Sequence, residues 1–434
     1  MTLPFEDDAL SLGAQEAILH TVFRPSAPTE DRGMFKGRTA ELGGVLSAVQ
    51  QVGQHVIVYG ERGVGKTSLA YMARDAFHQA SAKSGVVVRL ACGNDDNFPT
   101  VWKKLTHHLQ SHVDLAADGT ADRLEKAVDK YEDIIEMSDS VTPDCVARGL
   151  KVVANTVPLV VILDEFDRIG AWEDTVLFAD LIKMLSDDLV KCTVFIVGVA
   201  DNVAGLLSGH ASIDRALRQV HMPRMSQSEL SAIVVGGFER FEQLSGVKIT
   251  LGADAVRAIV RLSQGFPYYT HLLAGSIGEL ALRSRKYDVS SFDVFSALVR
   301  ATSEAAHSIR VAYTDAVSSA KPAQFDLTLL ACAVANADEL GFFAPADLRE
   351  PLSHFSGKSR TTPSFLAHLK RFADSPFYIL DTRGDGRKTR YRFRDPLMKP
   401  FVMMKGLKEG LLNFPGMDDD DELDPDDEKP VDDH

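Results

Sequence analysis

The apolar and polar positions of this chain fall into three regimes. Between about residues 55 and 223, strand-like runs recur at 55–59, 86–92, 159–164, 192–199 and 219–223, most of them rich in β-branched residues, with helix-like segments between them. Runs of this length that are mostly apolar fit strands buried on both faces, and their alternation with helices predicts a parallel sheet covered on both sides. From Ser226 the period changes to that of helices. Ser226-x-x-Glu229 is a capping box, and spaced apolar residues predict helices over 226–245, 253–263, 268–284 and 290–318. Lys321-Pro322 reads as a boundary, after which helices are expected at 325–336, 344–353 and 363–374. A hairpin from Tyr378 to Arg394 follows, turning at Gly384-Asp385-Gly386. In the third of these helices Thr362 is the expected N-cap and Pro363 the first residue; Phe365, Leu366, Leu369 and Phe372 form its core face. Ser364, His368 and Arg371 share the other face. Three helices and a hairpin predict a winged helix.

Composition adds bounds. Forty-five per cent apolar and 25% charged residues are ordinary for a globular protein. No apolar run approaches the ~20 residues that span a bilayer. Met1 to Leu10 is acidic where a secretion signal would be basic, so the expected location is cytoplasmic, with no membrane partner. Cys92, Cys145, Cys192 and Cys332 are too scattered for a disulfide framework or a zinc site. The net charge of −14 is unevenly placed. Asp418 to Asp433 holds eleven acids and one lysine, whereas Gly357 to Lys408 holds thirteen Lys/Arg against four Asp. A basic module is followed by an acidic tail with only scattered apolar residues, which is expected to be disordered.

The strongest chemical motif follows the first strand. His55-Val56-Ile57-Val58-Tyr59 runs into Gly60-Glu61-Arg62-Gly63-Val64-Gly65-Lys66-Thr67-Ser68, a G-x-x-x-x-G-K-T phosphate loop with a helix-like segment directly after it. Glycines let consecutive N–H groups turn toward phosphate oxygens, and the helix N-terminus adds positive potential. Lys66 is expected on the β- and γ-phosphates, and Thr67 on Mg²⁺. The second motif, Leu159-Val160-Val161-Ile162-Leu163-Asp164-Glu165, ends a buried strand in two carboxylates. Asp164 would hold Mg²⁺ through water, and Glu165 would orient and polarise the attacking water.

With these motifs the chain resembles the AAA+ ATPases, in particular the origin-recognition-like and STAND-like bacterial and archaeal ATPases, over about residues 34–412. The resemblance implies an α/β P-loop NTPase with a five-stranded parallel sheet, an all-α lid and a C-terminal winged helix, with ATP and Mg²⁺ as cofactors. Its implied organisation is an N-terminal arm over 1–33, an ATPase core over 34–225, a helical lid over 226–320, a winged helix over 321–412 and the tail over 413–434. Met34-Phe35-Lys36-Gly37-Arg38-Thr39-Ala40-Glu41 is similar to the family segment near the adenine. Thr193 to Asn202 resembles the sensor-1 strand, with Asp201 or Asn202 in the polar position that contacts the γ-phosphate or the water. Arg215 and Arg218 stand where these families place an arginine finger that completes a neighbour's site. Gly265-Phe266-Pro267-Tyr268-Tyr269 is similar to the "G-x-P" lid motif, whose proline packs on adenine. The arginine that other family members carry in the lid is absent at that point, and His271 reads as a packing residue.

The hairpin concentrates Arg383, Arg387, Lys388, Arg390 and Arg392, and its alternation puts Tyr391 and Phe393 on one face and arginines on the other. With Ser364, His368 and Arg371 on the preceding helix, this pattern predicts double-stranded DNA as a partner. The expected function is an ATP-hydrolysing switch that engages DNA and forms a homo-oligomer when ATP is bound. The alternative is a STAND-type NTPase that controls a protein effector without touching DNA. The acidic tail would fold over the basic module and compete with nucleic acid.

Overall fold

A computed structural model of the chain describes residues 10–28, 33–80, 85–113, 121–138, 140–200, 203–207, 213, 215–318, 322–338 and 340–412. The expected acidic tail, 413–434, lies outside the described residues. The chain divides into two compact units, one over residues 28–223 and one joining the segment up to residue 27 to residues 224 onward. Helix α1 (Leu12–Val22) belongs to the second.

The unit over 28–223 follows the predicted alternation. Its elements are α2 (Thr39–Val49), β1 (His55–Gly60), α3 (Lys66–Ala80), β2 (Val86–Ala91), α4 (Phe98–Val113), α5 (Ala121–Glu136), α6 (Pro143–Ala154), β3 (Leu159–Asp164), α7 (Trp172–Asp187), β4 (Cys192–Val199) and β5 (Leu217–His221). The strands form one parallel sheet in the order β2-β3-β4-β1-β5. β4 therefore lies between the strand that precedes the phosphate loop and the strand that ends in the carboxylates. Apart from Val199 at the exposed end of β4, the β-branched residues of β1, β3 and β4 are buried on both faces, as apolar strands in a covered sheet require.

Two packing features fix the site. Phe166, directly after the carboxylate pair, is 1% exposed and meets Phe178 of α7 edge-on at 4.9 Å, so the loop after β3 is pinned into the core. At the other end of the sheet, buried His55 accepts the Val194 N–H at Nδ1 (3.0 Å), and burial lowers its pKa to about 4. His55 is thus a neutral structural residue.

The second unit contains α8 (Gln227–Ser245), α9 (Ala253–Ser263), α10 (Pro267–Ser284), α11 (Ser291–Glu304) and α12 (His307–Val317), with α1 packed on α8 and α10; Thr250–Leu251 and Asp288–Val289 form the short parallel pair β6 and β7. The helix expected over 290–318 is interrupted at Ala305-Ala306, where the backbone is extended and the Ala306 N–H donates to the Tyr268 hydroxyl (2.8 Å). Two alanines carry no breaking signal, so the interruption is a tertiary effect. The N-terminal segment, expected as an arm, contributes α1 to this bundle. Leu19 occupies the space over Gly278, where a Cβ would lie 2.7 Å from its methyl. Phe23 meets Phe238 at 5.0 Å and His271 at 6.0 Å, and His20 (3.1 Å), Arg283 and Arg300 surround the buried carboxylate of Glu279.

The C-terminal part contains α13 (Pro322–Val334), a 3₁₀ turn at Pro345–Leu348, α14 (Arg349–Ser356), α15 (Pro363–Ala373), β8 (Leu380–Arg383), β9 (Arg390–Phe393) and α16 (Met398–Lys408). The hairpin is antiparallel, and paired backbone bonds between Phe343 and Tyr391 (2.8 and 2.9 Å) add a third short partner. α16 has no counterpart among the expected elements. It is apolar nearly all round and buried, so it lacks the amphipathic period, and Gly406 lets it press onto Leu330 of α13.

Candidate nucleotide site

The site in the unit over 28–223 is built at the carboxyl ends of parallel strands. Gly60 ends β1 where a Cβ would stand 2.4 Å from the Met222 carbonyl oxygen, so only glycine lets the chain beyond β5 approach. Gly65 has φ of +98°, which glycine adopts without strain, and this turn delivers Lys66 to the first position of α3. Val64 is buried and anchors the loop between them. Glu61, Arg62 and Gly63 complete the curl, and Ser68 continues the helix. Lys66 Nζ donates to the carbonyls of Gly60 (3.0 Å) and Glu61 (2.7 Å). Burial lowers its pKa to about 8, against the opposing pull of the Asp167, Asp164 and Glu61 carboxylates.

Asp164 ends β3 and is 2% exposed. Its two oxygens are divided. Oδ1 accepts the Glu165 N–H (2.9 Å) and lies 3.4 Å from the Thr67 hydroxyl. Oδ2 accepts both Nη2 (2.6 Å) and Nε (3.0 Å) of Arg89 from the neighbouring strand β2. The adjacent hydroxyl and carboxylate are hard oxygen donors of the type Mg²⁺ takes, and the loop amides suit phosphate. Glu165 has a left-handed backbone (φ +55°), is half exposed and pairs with Arg168 (3.1 Å). That turn directs it away from the strand, beside Asp164 but outside the core.

Two residues at the site were absent from the expected set. Asp167 Oδ1 accepts the Val199 N–H (2.7 Å), tying the turn after the carboxylates to the end of β4. Arg89 is the one charged residue in the run Val86 to Ala91, and its guanidinium also lies over the Tyr71 ring of α3 (5.2 Å). A lone charge inside a buried strand was the available signal. Asp201 and Asn202 lie outside the described residues.

Arg215 and Arg218 are exposed near the amino end of β5, where Leu217 pairs with His55. Arg218 is four residues of strand below the start of the phosphate loop, about 13 Å. Its side chain rests against Gly44 of α2, 3.4 Å from where a Cβ would be. Arg38 is buried, adopts a left-handed backbone before α2, and binds Glu41 (3.0 Å) and the Pro223 carbonyl.

In the second unit, Pro267 opens α10, and Gly265 (φ +84°) packs against Arg224, whose guanidinium lies over Phe266 (4.7 Å). His271 is buried in the helical bundle, which lowers its pKa to about 4. The face expected for Ser364, His368 and Arg371 requires correction. Ser364 is exposed, but His368 Nδ1 bonds the Thr328 hydroxyl (2.8 Å) and its ring lies 4.4 Å from Phe325. Arg371 donates to the Ser318 carbonyl (2.8 Å) between the rings of Phe325 and Phe377. Both residues fasten α15 to its neighbours. The outward line of α15 is Ser364, Ala367 and Lys370, because the polar side chains one turn round find aromatic partners.

The hairpin alternates as expected, with Tyr391 and Phe393 buried and Arg390 exposed. Three of the described arginines have partners: Arg390 binds Asp338 (3.2 Å), Arg392 approaches Asp381 (3.7 Å) and covers Phe342 (4.7 Å), and Arg383 lies 5.9 Å from the same ring. Arg387 and Lys388 occupy the turn, where Lys388 is exposed.

The curled loop between β1 and α3, and the buried carboxylate one strand removed from it, define a P-loop nucleotide-binding α/β domain. Residues 34–197 match the family described as AAA ATPase domain, so this unit carries an AAA+ ATPase domain and the protein is an ATPase. No curated protein matches the chain. Among solved structures it is similar to the Orc1 protein of Aeropyrum pernix in complex with DNA, at 17% identity and a TM-score of 0.46, covering 90% of this chain and 97% of that one. It is also similar to the Walker-type ATPase of Pyrococcus abyssi (15% identity, TM-score 0.47, 88% and 99% covered) and to Cdc6p of Pyrobaculum aerophilum (15%, 0.46, 91% and 99%). No described helix is long and apolar enough to cross a membrane.

Proposed function

We propose that the protein is an ATP-hydrolysing switch whose nucleotide state governs assembly with further copies and engagement of duplex DNA. The observation that carries the hydrolytic reading is the convergence of Lys66, Thr67, Asp164 and Glu165 at one end of the sheet. Lys66 and the loop amides hold the phosphates. Thr67 and Asp164 would hold Mg²⁺, which supplies charge neutralisation and orientation of the phosphates. Glu165, exposed beside Asp164, is placed to orient a water and accept its proton. Asp201 or Asn202, two or three residues after β4, would contact the γ-phosphate or that water, and Pro267 would pack on the adenine.

Assembly is supported by the position of Arg215 and Arg218 at the opposite strand ends from their own phosphate loop. From there a guanidinium can complete only another copy's site. DNA engagement is supported by the +9 balance of residues 357–408 and by the outward cations Lys370, Lys388 and Arg390 on a helix–helix–helix–hairpin module, which we read as a winged helix. The pairing of Arg390 and Arg392 with Asp338 and Asp381 favours the second reading, in which the module restrains a protein effector.

A gel-shift titration of the full chain on duplex DNA at low salt, with ADP and with a non-hydrolysable ATP analogue, separates the two. Retarded complexes that weaken in Lys370→Glu/Arg390→Glu support DNA engagement. No retardation in either nucleotide state leaves the effector reading.

A further inference from the structure

Asp164 shares its charge with a cation of the protein itself. Arg89 spans Oδ2 with two N–H donors while Oδ1 faces the Thr67 hydroxyl, so guanidinium and hydroxyl touch opposite oxygens of one carboxylate. The arginine is held from three sides: by strand β2, by Asp164, and by the Tyr71 ring of the helix that begins with Lys66 and Thr67. It is 29% exposed, against 2% for its partner, so its charge lies at the wet edge of the site. Two charge-assisted donors converging on one oxygen fix the orientation of the carboxylate as well as offsetting its charge.

We propose that Arg89 is a positioning residue that sets the metal dependence of nucleotide binding, by aiming Asp164 Oδ1 at the metal position and offsetting part of the carboxylate charge. This rests on the nucleotide reading of the loop. A fixed positive charge on Oδ2 opposes a divalent cation beside Oδ1, and at the same time favours the polyphosphate anion when no metal accompanies it. Arg89 thereby narrows the gap between binding with Mg²⁺ and binding without it. The site retains nucleotide when Mg²⁺ is scarce, and its hydrolytic geometry stays dependent on metal supply.

The test is the affinity of the full chain for a fluorescent ATP analogue in excess Mg²⁺ and in EDTA. The readout is the ratio of the two affinities. Arg89→Gln keeps a hydrogen-bond donor and removes the charge, and should widen the ratio about tenfold, mainly by weakening metal-free binding. Arg89→Lys, which keeps the charge, should stay near the wild-type ratio. Because Arg89→Gln strands a buried carboxylate and could fail to fold, the pair Asp164→Asn and Arg89→Gln/Asp164→Asn, which differ only by the arginine charge, gives a second reading. In Asp164→Asn the arginine charge is unopposed, so adding Arg89→Gln should restore part of the lost Mg²⁺ dependence. An unchanged or narrower ratio in folded Arg89→Gln, or a double variant no better than Asp164→Asn, overturns the proposal. If the wild type binds no nucleotide even with Mg²⁺, the nucleotide reading itself fails; if it binds and the ratio does not move, only the role of Arg89 fails.

Discussion

The phosphate loop and the C-terminal hairpin are both short, glycine-turned segments loaded with cationic donors, yet they deploy them differently. In the loop, Lys66 is directed by the backbone of its own segment: it folds onto the Gly60 and Glu61 carbonyls, six and five residues away in sequence. In the hairpin, Arg390 and Arg392 are directed by what surrounds them: Asp338 from a distant loop, Asp381 across the strand pair and the Phe342 ring. Local backbone geometry presents a functional group to a ligand. Tertiary company decides whether an exposed-looking cation is available to one.

This difference predicts a hierarchy of effects. Glu165→Gln should lower hydrolysis about 10²- to 10⁴-fold while nucleotide still binds, measured as single-turnover phosphate release; retained hydrolysis would move the base to another group. Lys66→Ala should weaken nucleotide binding roughly a hundredfold in equilibrium titration, as expected for loss of charged hydrogen bonds to phosphate. Binding that survives would mean that the loop amides suffice.

Each unit also contains one neutral buried histidine, which allows the two to be compared in stability. The folded pKa of His55 and of His271 is about 4, below the unfolded value of about 6.5. The unfolded chain therefore takes up protons first as pH falls. Stability is intact above about 6.5 and is lost progressively toward pH 4, by about 3 kcal/mol for each histidine. Urea unfolding at pH 7.5 and pH 5 should show the loss, and His55→Gln and His271→Gln should each flatten it. Equal pH slopes in the wild type and both variants would refute the assignment.

A smaller effect is expected from Lys66 itself. Its pKa of about 8 in the nucleotide-free protein must rise when phosphate binds, so affinity should fall as pH passes 8, by about tenfold per unit. A flat profile from pH 7 to 9.5 would show that Lys66 is not the phosphate ligand. Smallest should be the hairpin and tail. Arg390→Glu should reduce DNA affinity a few-fold at low salt, and deleting residues 417–434 should raise it and change the salt slope, since both act through phosphate electrostatics. A loss with Arg390→Glu as large as that with Lys66→Ala would erase the distinction drawn between loop and hairpin.

Much of the sheet was legible because a strand buried on both faces must be apolar throughout, and Val56–Val58, Leu159–Leu163 and Thr193–Val197 are nearly so. The phosphate loop and its carboxylates were legible for a related reason: their chemistry requires fixed residues at fixed spacing within one turn of chain. The sequence by itself thus determined the strand–loop–helix unit, the position of Lys66 and Thr67 on it, and the alternation that buries Tyr391 and Phe393. Only the tertiary structure decided that β4 intervenes between β1 and β3, that Arg89 reaches across to Asp164, and that His368 and Arg371 turn toward Phe325 instead of outward. It also decided that α1 joins the helical bundle and that the helix after Ser291 breaks at two alanines. The physical reason is range. Periodicity and turn chemistry act over a few residues and are written locally, whereas the partner of a charge or ring is set by contacts between segments tens or hundreds of residues apart.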